Sequence, residues 1–276
     1  MADRPILTHI GGPTLLIELA GWRLLVDPTF DPPGRKYSFG WGTSSVKTAG
    51  PNLPLAELGA IDVVLLSHDQ HADNLDDAGK AMLPSAGEVI TTFPGGKRLR
   101  AFAGLEHVVG LRPWETAEIA PEGGKTGEEH LGRPPLTVTA TPARHGPKFS
   151  RPIAGAAIGF AISVGDAPET SVWVTGDTVM YDGLRDAASR LDVDVAVVHI
   201  GAVRFPITGG LKFTMDASGA AELVGLLRPR RVVPVHCDQW SHFREPREAA
   251  ERVLDASGPD VRDRVTWLDG GVSAEV

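Results

Sequence analysis

The sequence predicts a single α/β domain built on a mixed sheet system, and three observations carry that prediction. Short β-branched or apolar runs recur along the whole chain. Stretches with helical start and stop signals are interspersed among them. No low-complexity linker or internal repeat divides the 276 residues, although a length nearly twice the roughly 150 residues of a typical domain would also allow two small ones.

Residues 13–27 read as two strands around a tight Ala20-Gly21 turn. Residues 28–54 are crowded with Gly, Pro and the aromatics Phe30, Tyr37, Phe39 and Trp41. Without periodicity this segment reads as a long loop, and its aromatics predict an ordered flap over a site. Residues 61–67 form an apolar run, the mark of a strand covered on both faces. A helix is expected from Leu75 to just before Pro84, then strands at 88–92, 107–111 and 116–119. Residues 121–135, rich in Gly, Glu, Lys and Pro, read as a surface loop. Strands are expected at 136–140, 156–164, 171–175 and 193–199. A helix at 216–227 has Asp216 as its N-cap and stops at Arg228-Pro229. A strand at 231–235, a helix at 245–255 with Pro246 near its first turn, and a strand at 265–268 complete the chain.

Composition excludes several classes. No apolar stretch of about 18 residues exists, so no membrane-spanning helix is expected. The start lacks a basic segment followed by an apolar one, so no secretory leader is expected. The lone Cys237 can form no internal disulfide and suits a reducing, cytoplasmic setting; we read it as a small buried hydrophobe. Lys and Arg number 27 against 35 Asp and Glu, a net charge of −8 with no basic run, which speaks against a grip on nucleic-acid phosphates. A small-molecule substrate is the expected partner, with a homo-oligomer left open.

Several metal-capable side chains share one setting, the point where a buried strand gives way to a loop. His68 and His71 sit in Ser67-His-Asp-Gln-His-Ala-Asp-Asn74, His145 in Ala143-Arg-His-Gly-Pro147, Asp177 in Thr175-Gly-Asp-Thr178, and His236 in Pro234-Val-His-Cys-Asp-Gln239. In open α/β folds that edge is where sites are built. Imidazole and carboxylate together suit Zn²⁺ or another divalent first-row ion, and a carboxylate can bridge two ions. Such ions lower the pKa of water to about 7, which supplies a nucleophile at neutral pH.

Ile10-Gly-Gly-Pro13, Leu25-Val-Asp-Pro28, Leu65-Leu-Ser-His68, Ala140-Thr-Pro-Ala-Arg-His-Gly-Pro147, Val174-Thr-Gly-Asp-Thr178, Ile200-Gly-Ala202 and Val235-His236 occur in this order. The series resembles the metallo-β-lactamase fold hydrolases, and within them the branch of the L-ascorbate-6-phosphate lactonase. The resemblance covers nearly the whole chain. It implies an αβ/βα four-layer sandwich with one or two divalent ions, Zn or Mn, at one edge. The family motif His-x-His-x-Asp-His is altered here. Aligned with one residue inserted between His68 and His71, it leaves Asn74 where the last histidine stands. By this alignment His68, His71 and His145 resemble the first ion's ligands, Asp73 and His236 the second's, and Asp177 the bridging carboxylate. Asp73 and Asp177 would then be the catalytic carboxylates, with Asp73 orienting a hydroxide. An amide oxygen from Asn74 would suit a harder ion such as Mn²⁺ or Mg²⁺.

Around this set, Gln70, Asn74, His199, His242 and Asp27 are candidates for supporting or substrate-facing roles, with a solvent-facing position the alternative for Gln70. Taken alone, Asp73 or Asn74 before a helix reads as an N-cap. His9 could reach the cleft edge, while His107 and His130 read as surface residues. The implied activity is opening of a lactone or cleavage of a related ester or phosphoester. A phosphorylated substrate would need a basic pocket, for which Arg144, Lys148, Arg204 and Lys212 are the candidates. The rival readings are a metal-dependent phosphodiesterase or nuclease, a redox di-iron centre, and a non-enzymatic relative that binds a metal or ligand.

Overall fold

The computed structural model describes residues 4–101, 105–121, 132–167 and 169–276. Seven strands make the first sheet: β1 (Ile6–Gly11), β2 (Thr14–Leu19), β3 (Trp22–Val26), β6 (Val63–Leu66), β7 (Glu88–Thr92), β8 (Val108–Leu111) and β15 (Ser273–Glu275), in the order β15-β1-β2-β3-β6-β7-β8. Six make the second: β9 (Thr116–Ile119), β10 (Leu136–Pro142), β11 (Ile158–Val164), β12 (Thr170–Val174), β13 (Val193–His199) and β14 (Arg231–Val235), ordered β14-β13-β12-β11-β10-β9. A separate hairpin pairs β4 (Lys36–Gly40) with β5 (Thr43–Val46).

Alternation along the strands sorts side chains into layers. Ile17, Leu24, Val63 and Leu65 of the first sheet share one core with Val138, Phe160, Val174, Val195 and Val197 of the second. The opposite face of the first sheet, through Leu16, Leu25, Val64 and Leu66, packs with Met82 of α1 (Asp77–Met82) and Leu99 of α2 (Phe93–Arg100). Trp173, Ala196 and Val198 cover the second sheet's outer face with α4 (Asp182–Arg190), α5 (Ala217–Leu227), α6 (Arg247–Ala256) and α7 (Pro259–Arg262). The result is the expected αβ/βα sandwich; α3 (Arg151–Ala154) lies in the loop after β10. β6 is buried at all four positions because both its faces are covered, which is why its sequence shows no polar alternation.

Strand directions bring the candidate loops to one edge. β12, β13 and β14 are mutually parallel, and β10 runs the same way because two antiparallel steps separate it from β12. β3, β6, β7 and β8 are parallel in the first sheet. The two edges meet where Ile158 N donates to Ser67 O at 3.1 Å and His236 N to Gly12 O at 2.8 Å.

The structure differs from the sequence expectations at four places. The segment expected as an aperiodic loop contains the β4–β5 hairpin, where Tyr37 is buried between exposed Lys36 and Ser38. Helix α2 forms over Phe-Pro-Gly-Gly, where composition argues against one. Thr92 caps it by accepting from Gly95 N at 3.0 Å, and a side chain at Gly96 would come within 2.8 Å of the Gly110 backbone, so small residues let the helix lie on β8. Helix α4 falls where no element was expected. The last strand is Ser273–Glu275, paired with β1, whereas Val265 contributes only an isolated bridge to Val232. The expected surface loop at 121–135 falls, over residues 122–131, outside the described residues, as does His130; His107 is exposed as expected. Cys237 is buried against the outer helices. No helix among the described residues is long and apolar enough to cross a membrane.

Candidate metal centre

The loop 67–74 is held from below by Asp27, which is fully buried and has φ +40°. This left-handed backbone is uncommon outside glycine and marks a position fixed by its surroundings. Asp27 Oδ1 accepts from Ser67 N at 2.7 Å and Oδ2 from Asn74 Nδ2 at 3.1 Å, so one carboxylate clamps both ends of the loop. Ser67 Oγ lies 3.0 Å from His68 Nδ1 and fixes that ring. On the second sheet, His145 Nδ1 donates to Phe213 O at 2.9 Å and His236 Nδ1 to Ile200 O at 3.2 Å, so each turns Nε2 inward. Asp177 follows Gly176, where φ is +60° and a Cβ would stand 2.4 Å from Ile158 O; only glycine permits that approach.

The six side chains gather into two buried triads, His68, His71 and His145 in one and Asp73, Asp177 and His236 in the other. In the first, His68 Nε2 is 2.9 Å and His145 Nε2 is 3.2 Å from His71 Nδ1. Ligands about 2.0–2.1 Å from a shared ion stand roughly 2.9–3.4 Å apart at right-angle to tetrahedral placement, so these spacings fit one. Burial pushes His68 well below its usual range, and His71 is lowered too. Burial, reinforced by His71, takes His145 down to about 3. Neutral rings present lone pairs to the shared point, the state in which imidazole binds a divalent ion.

In the second triad His236 Nε2 lies 3.5 Å from Asp73 Oδ2 and 3.5 Å from Asp177 Oδ1. Asp73 Oδ1, both Asp177 oxygens and His236 Nε2 are buried without a hydrogen-bond partner among the described residues, a costly state that an ion would relieve. Burial, opposed by His236 and reinforced by Asp73 and Asp27, pushes the Asp177 carboxyl up to about 7. Burial works against charge on His236, yet Asp177 and Asp73 hold it up at about 9. Asp73 is held well below the usual carboxylate range, because His242 and His236 outweigh its burial. Asp177 groups with Asp73 and His236, and its Oδ2 lies 3.9 Å from His145 Nδ1, the ring nitrogen turned away from the first triad.

The supporting candidates separate. His242 Nε2 donates to Asp73 Oδ2 at 2.9 Å, while Ser45 Oγ, 2.6 Å away, donates to its Nδ1. Asn74 gives its amide hydrogens to Asp27 and to Ser67 Oγ, 3.3 Å away. Neither Asp73 nor Asn74 caps α1; Asp76 does, accepting from Gly79 N at 2.8 Å. His199 packs behind the site, its Nε2 3.4 Å from Asp27 Oδ2 and its ring 5.6 Å from that of His236. His9 is buried and its Nε2 lies 3.1 Å from Gly12 O. Gln70 takes the solvent-facing of the two places open to it: it is exposed and rests on Gly155.

Above the triads opens a cavity of about 440 Å³ with His71, Asp73, His145 and His242 among its lining. Its walls are Phe39, Val203, Phe205 and Phe213, and Phe205 stacks on His242 at 5.6 Å between ring centroids. Sequence reasoning anticipated aromatics from the flap, and Phe39 and Trp41 do line the cavity, whereas Phe30 and Tyr37 are buried in the body. It missed Phe205, Phe213 and Ser45. Of the phosphate candidates, Lys148 lines this cavity, Arg144 faces a neighbouring groove of about 540 Å³ with Arg112 and Arg151, and Lys212 is paired with Asp216. Arg204 lines neither space.

Residues 22–237 match the beta-lactamase superfamily domain. The chain belongs to that superfamily. Among curated relatives, a UPF0173 metal-dependent hydrolase of Caldivirga maquilingensis is 26% identical over 258 residues, 93% of this chain and 92% of the relative. Among solved structures, a possible metal-dependent hydrolase from Veillonella parvula superposes with TM-score 0.79 at 19% identity, covering 99% of this chain and all of that one. An isothiocyanate hydrolase from Delia radicum gut bacteria does so with TM-score 0.77 at 20% identity, covering 98% of each. These structural likenesses show the metallo-β-lactamase fold.

Proposed function

We propose that this superfamily member is a metal-dependent hydrolase that opens a lactone or cleaves a related ester or phosphoester of a small molecule. One observation carries the reading: two buried triads with unpaired polar atoms converge at the floor of a cavity of small-molecule size. His68, His71 and His145 would hold one divalent ion, and Asp73, Asp177 and His236 a second. The first donor set suits Zn²⁺, and the oxygen-richer second also suits Mn²⁺. Divalent ions bound there would polarise the scissile group and lower the pKa of water to about 7.

The chain's own groups supply the rest. The hydrogen bond from His242 Nε2 fixes Asp73 through Oδ2, leaving buried Oδ1 to accept from the attacking water. His242 lines the cavity, and burial lowers its pKa, so it faces the substrate as a neutral imidazole. Hydrolysis joins the water oxygen to the acyl carbon or phosphorus, breaks the bond to the leaving oxygen and delivers a proton there. The apolar walls exclude other water. A net charge of −8 and an enclosed floor favour a small molecule over nucleic acid.

Elemental analysis of protein purified without added metal or chelator, followed by lactone and phosphoester turnover, tests the reading. One to two ions per chain are expected, with turnover lost on chelation and restored by Zn²⁺ or Mn²⁺. Asp177→Ala and His236→Ala should both abolish turnover. Activity indifferent to chelation, or retained in both variants, overturns the proposal.

A further inference from the structure

Nine large apolar side chains are exposed among the described residues, and five of them, Trp41, Phe149, Ile153, Ile207 and Leu211, stand around the mouth of one cavity. Scattered exposed hydrophobics are ordinary, but their gathering at one opening is not, and such patches mark places where an apolar partner is taken up. Three separate segments supply the rim: the β4–β5 hairpin, the loop with α3, and residues 207–211. Inside it the buried Phe205, Phe213 and Val203 continue the same surface with Phe39 packed on them, down to the imidazoles of His71 and His242.

Charge is sparse along this path. Apart from the candidate ligands and His242 at the floor, Lys148 is the one ionisable liner among the described residues, and it is exposed. The cationic side chains Arg112, Arg144 and Arg151 line the other groove, across the segment that carries Phe149. A phosphorylated substrate placed in the main cavity would therefore leave its dianion among phenylalanines, at a cost of several kcal/mol unless paired.

We propose that the substrate is an uncharged molecule with an aromatic or alkyl body, which fills the phenylalanine-walled chamber and presents its lactone or ester group to the floor. This rests on the hydrolase reading above. Hydrolysis adds hydroxyl to the acyl carbon and a proton to the leaving oxygen, while the body takes no part in bond changes. Its burial acts on binding, so chain length appears in kcat/KM.

The test uses the metal-loaded full chain with γ-butyrolactone, γ-octalactone and γ-undecalactone, beside a lactone carrying a phosphate on its chain. Each methylene taken into the chamber should raise kcat/KM about three- to fourfold until the space is filled. Ile207→Asp, at a side chain 68% exposed and thus safe for folding, should flatten that slope. A flat slope in the unmodified protein, or preference for the phosphorylated lactone, overturns the proposal. If no lactone or ester is turned over, calorimetric titration with uncharged, non-hydrolysable 4-phenylbutan-1-ol separates the two readings. Binding weakened tenfold or more by Ile207→Asp upholds the apolar chamber while the hydrolase reading falls. Absence of binding overturns both.

Discussion

Removing the Asp27 side chain should do more damage than its distance from the substrate suggests. Asp27→Ala leaves Ser67 N and Asn74 Nδ2 buried without their acceptor, at about 1–3 kcal/mol each. Alanine at φ +40° also lacks the polar side chain that offsets the left-handed strain which aspartate bears as well. The total is about 2 kcal/mol or more, and at roughly 2–4 °C per kcal/mol for a chain near this size the melting temperature should fall by about 4 °C or more. Asp27→Asn is the informative partner. Asparagine tolerates the left-handed backbone and keeps one acceptor, so it should cost about 1–3 kcal/mol. Urea unfolding of the metal-free proteins measures both, and metal content after identical purification measures the consequence for the loop carrying His68, His71 and Asp73. If alanine costs under about 1 kcal/mol, or is no worse than asparagine, the clamp described for Asp27 is wrong.

Three further outcomes are expected. At pH 7 His236, held up at about 9, carries a proton, whereas His145, pushed down to about 3, does not; binding at the second triad must therefore release protons and weaken as pH falls from 9 towards 7, while binding at the first stays flat over that window. Calorimetric heats that do not change between two buffers of different ionisation enthalpy would contradict this. His242→Ala should lower kcat about 10- to 100-fold through loss of its grip on Asp73, with the ion content of the unmodified protein retained by elemental analysis. Gln70→Ala, at an exposed side chain, should shift stability by under about 0.5 kcal/mol and leave turnover intact, checked by the same unfolding and lactone assays.

The six residues of the triads were legible because each follows an apolar strand, and the strand ends share an edge for topological reasons that sequence order already constrains. His68, His145, Asp177 and His236 could be placed without knowing any contact. The chamber was not legible in this way. Phe205 and Phe213 lie in no motif, and only the loop after β13 brings them against Phe39 from the hairpin. The hairpin itself was hidden because its glycines and mixed polarity mask a two-residue period that buries one face. Helix α2 was hidden for the opposite reason. Its Pro-Gly-Gly weakens helix propensity, and close packing on Gly110 overrides that preference. For Gln70 the sequence left a supporting and a solvent-facing position open, because spacing alone does not report side-chain direction inside a ligand loop that carries an insertion.

The hairpin is also what joins the chamber to the ligands. Lys47, just beyond β5, is fully buried, with Nζ 2.8 Å from Asp76 Oδ2. Asp76 accepts in addition from Phe30 N, Asp31 N and Gly79 N, so a single carboxylate ties the flap's start, its end and the cap of the helix that follows the ligand loop. A buried ion pair of this kind contributes little net stability over a well-packed apolar pair, but it tolerates few alternative placements. Ser45, two residues before Lys47, therefore reaches His242 from a fixed base, and His242 in turn holds Asp73. The tip of the same hairpin carries Trp41, 70% exposed at the mouth. One short element thus combines a rigid root beside the candidate metal ligands with an apolar end facing solvent, and a ligand entering past Trp41 meets side chains whose positions are already set.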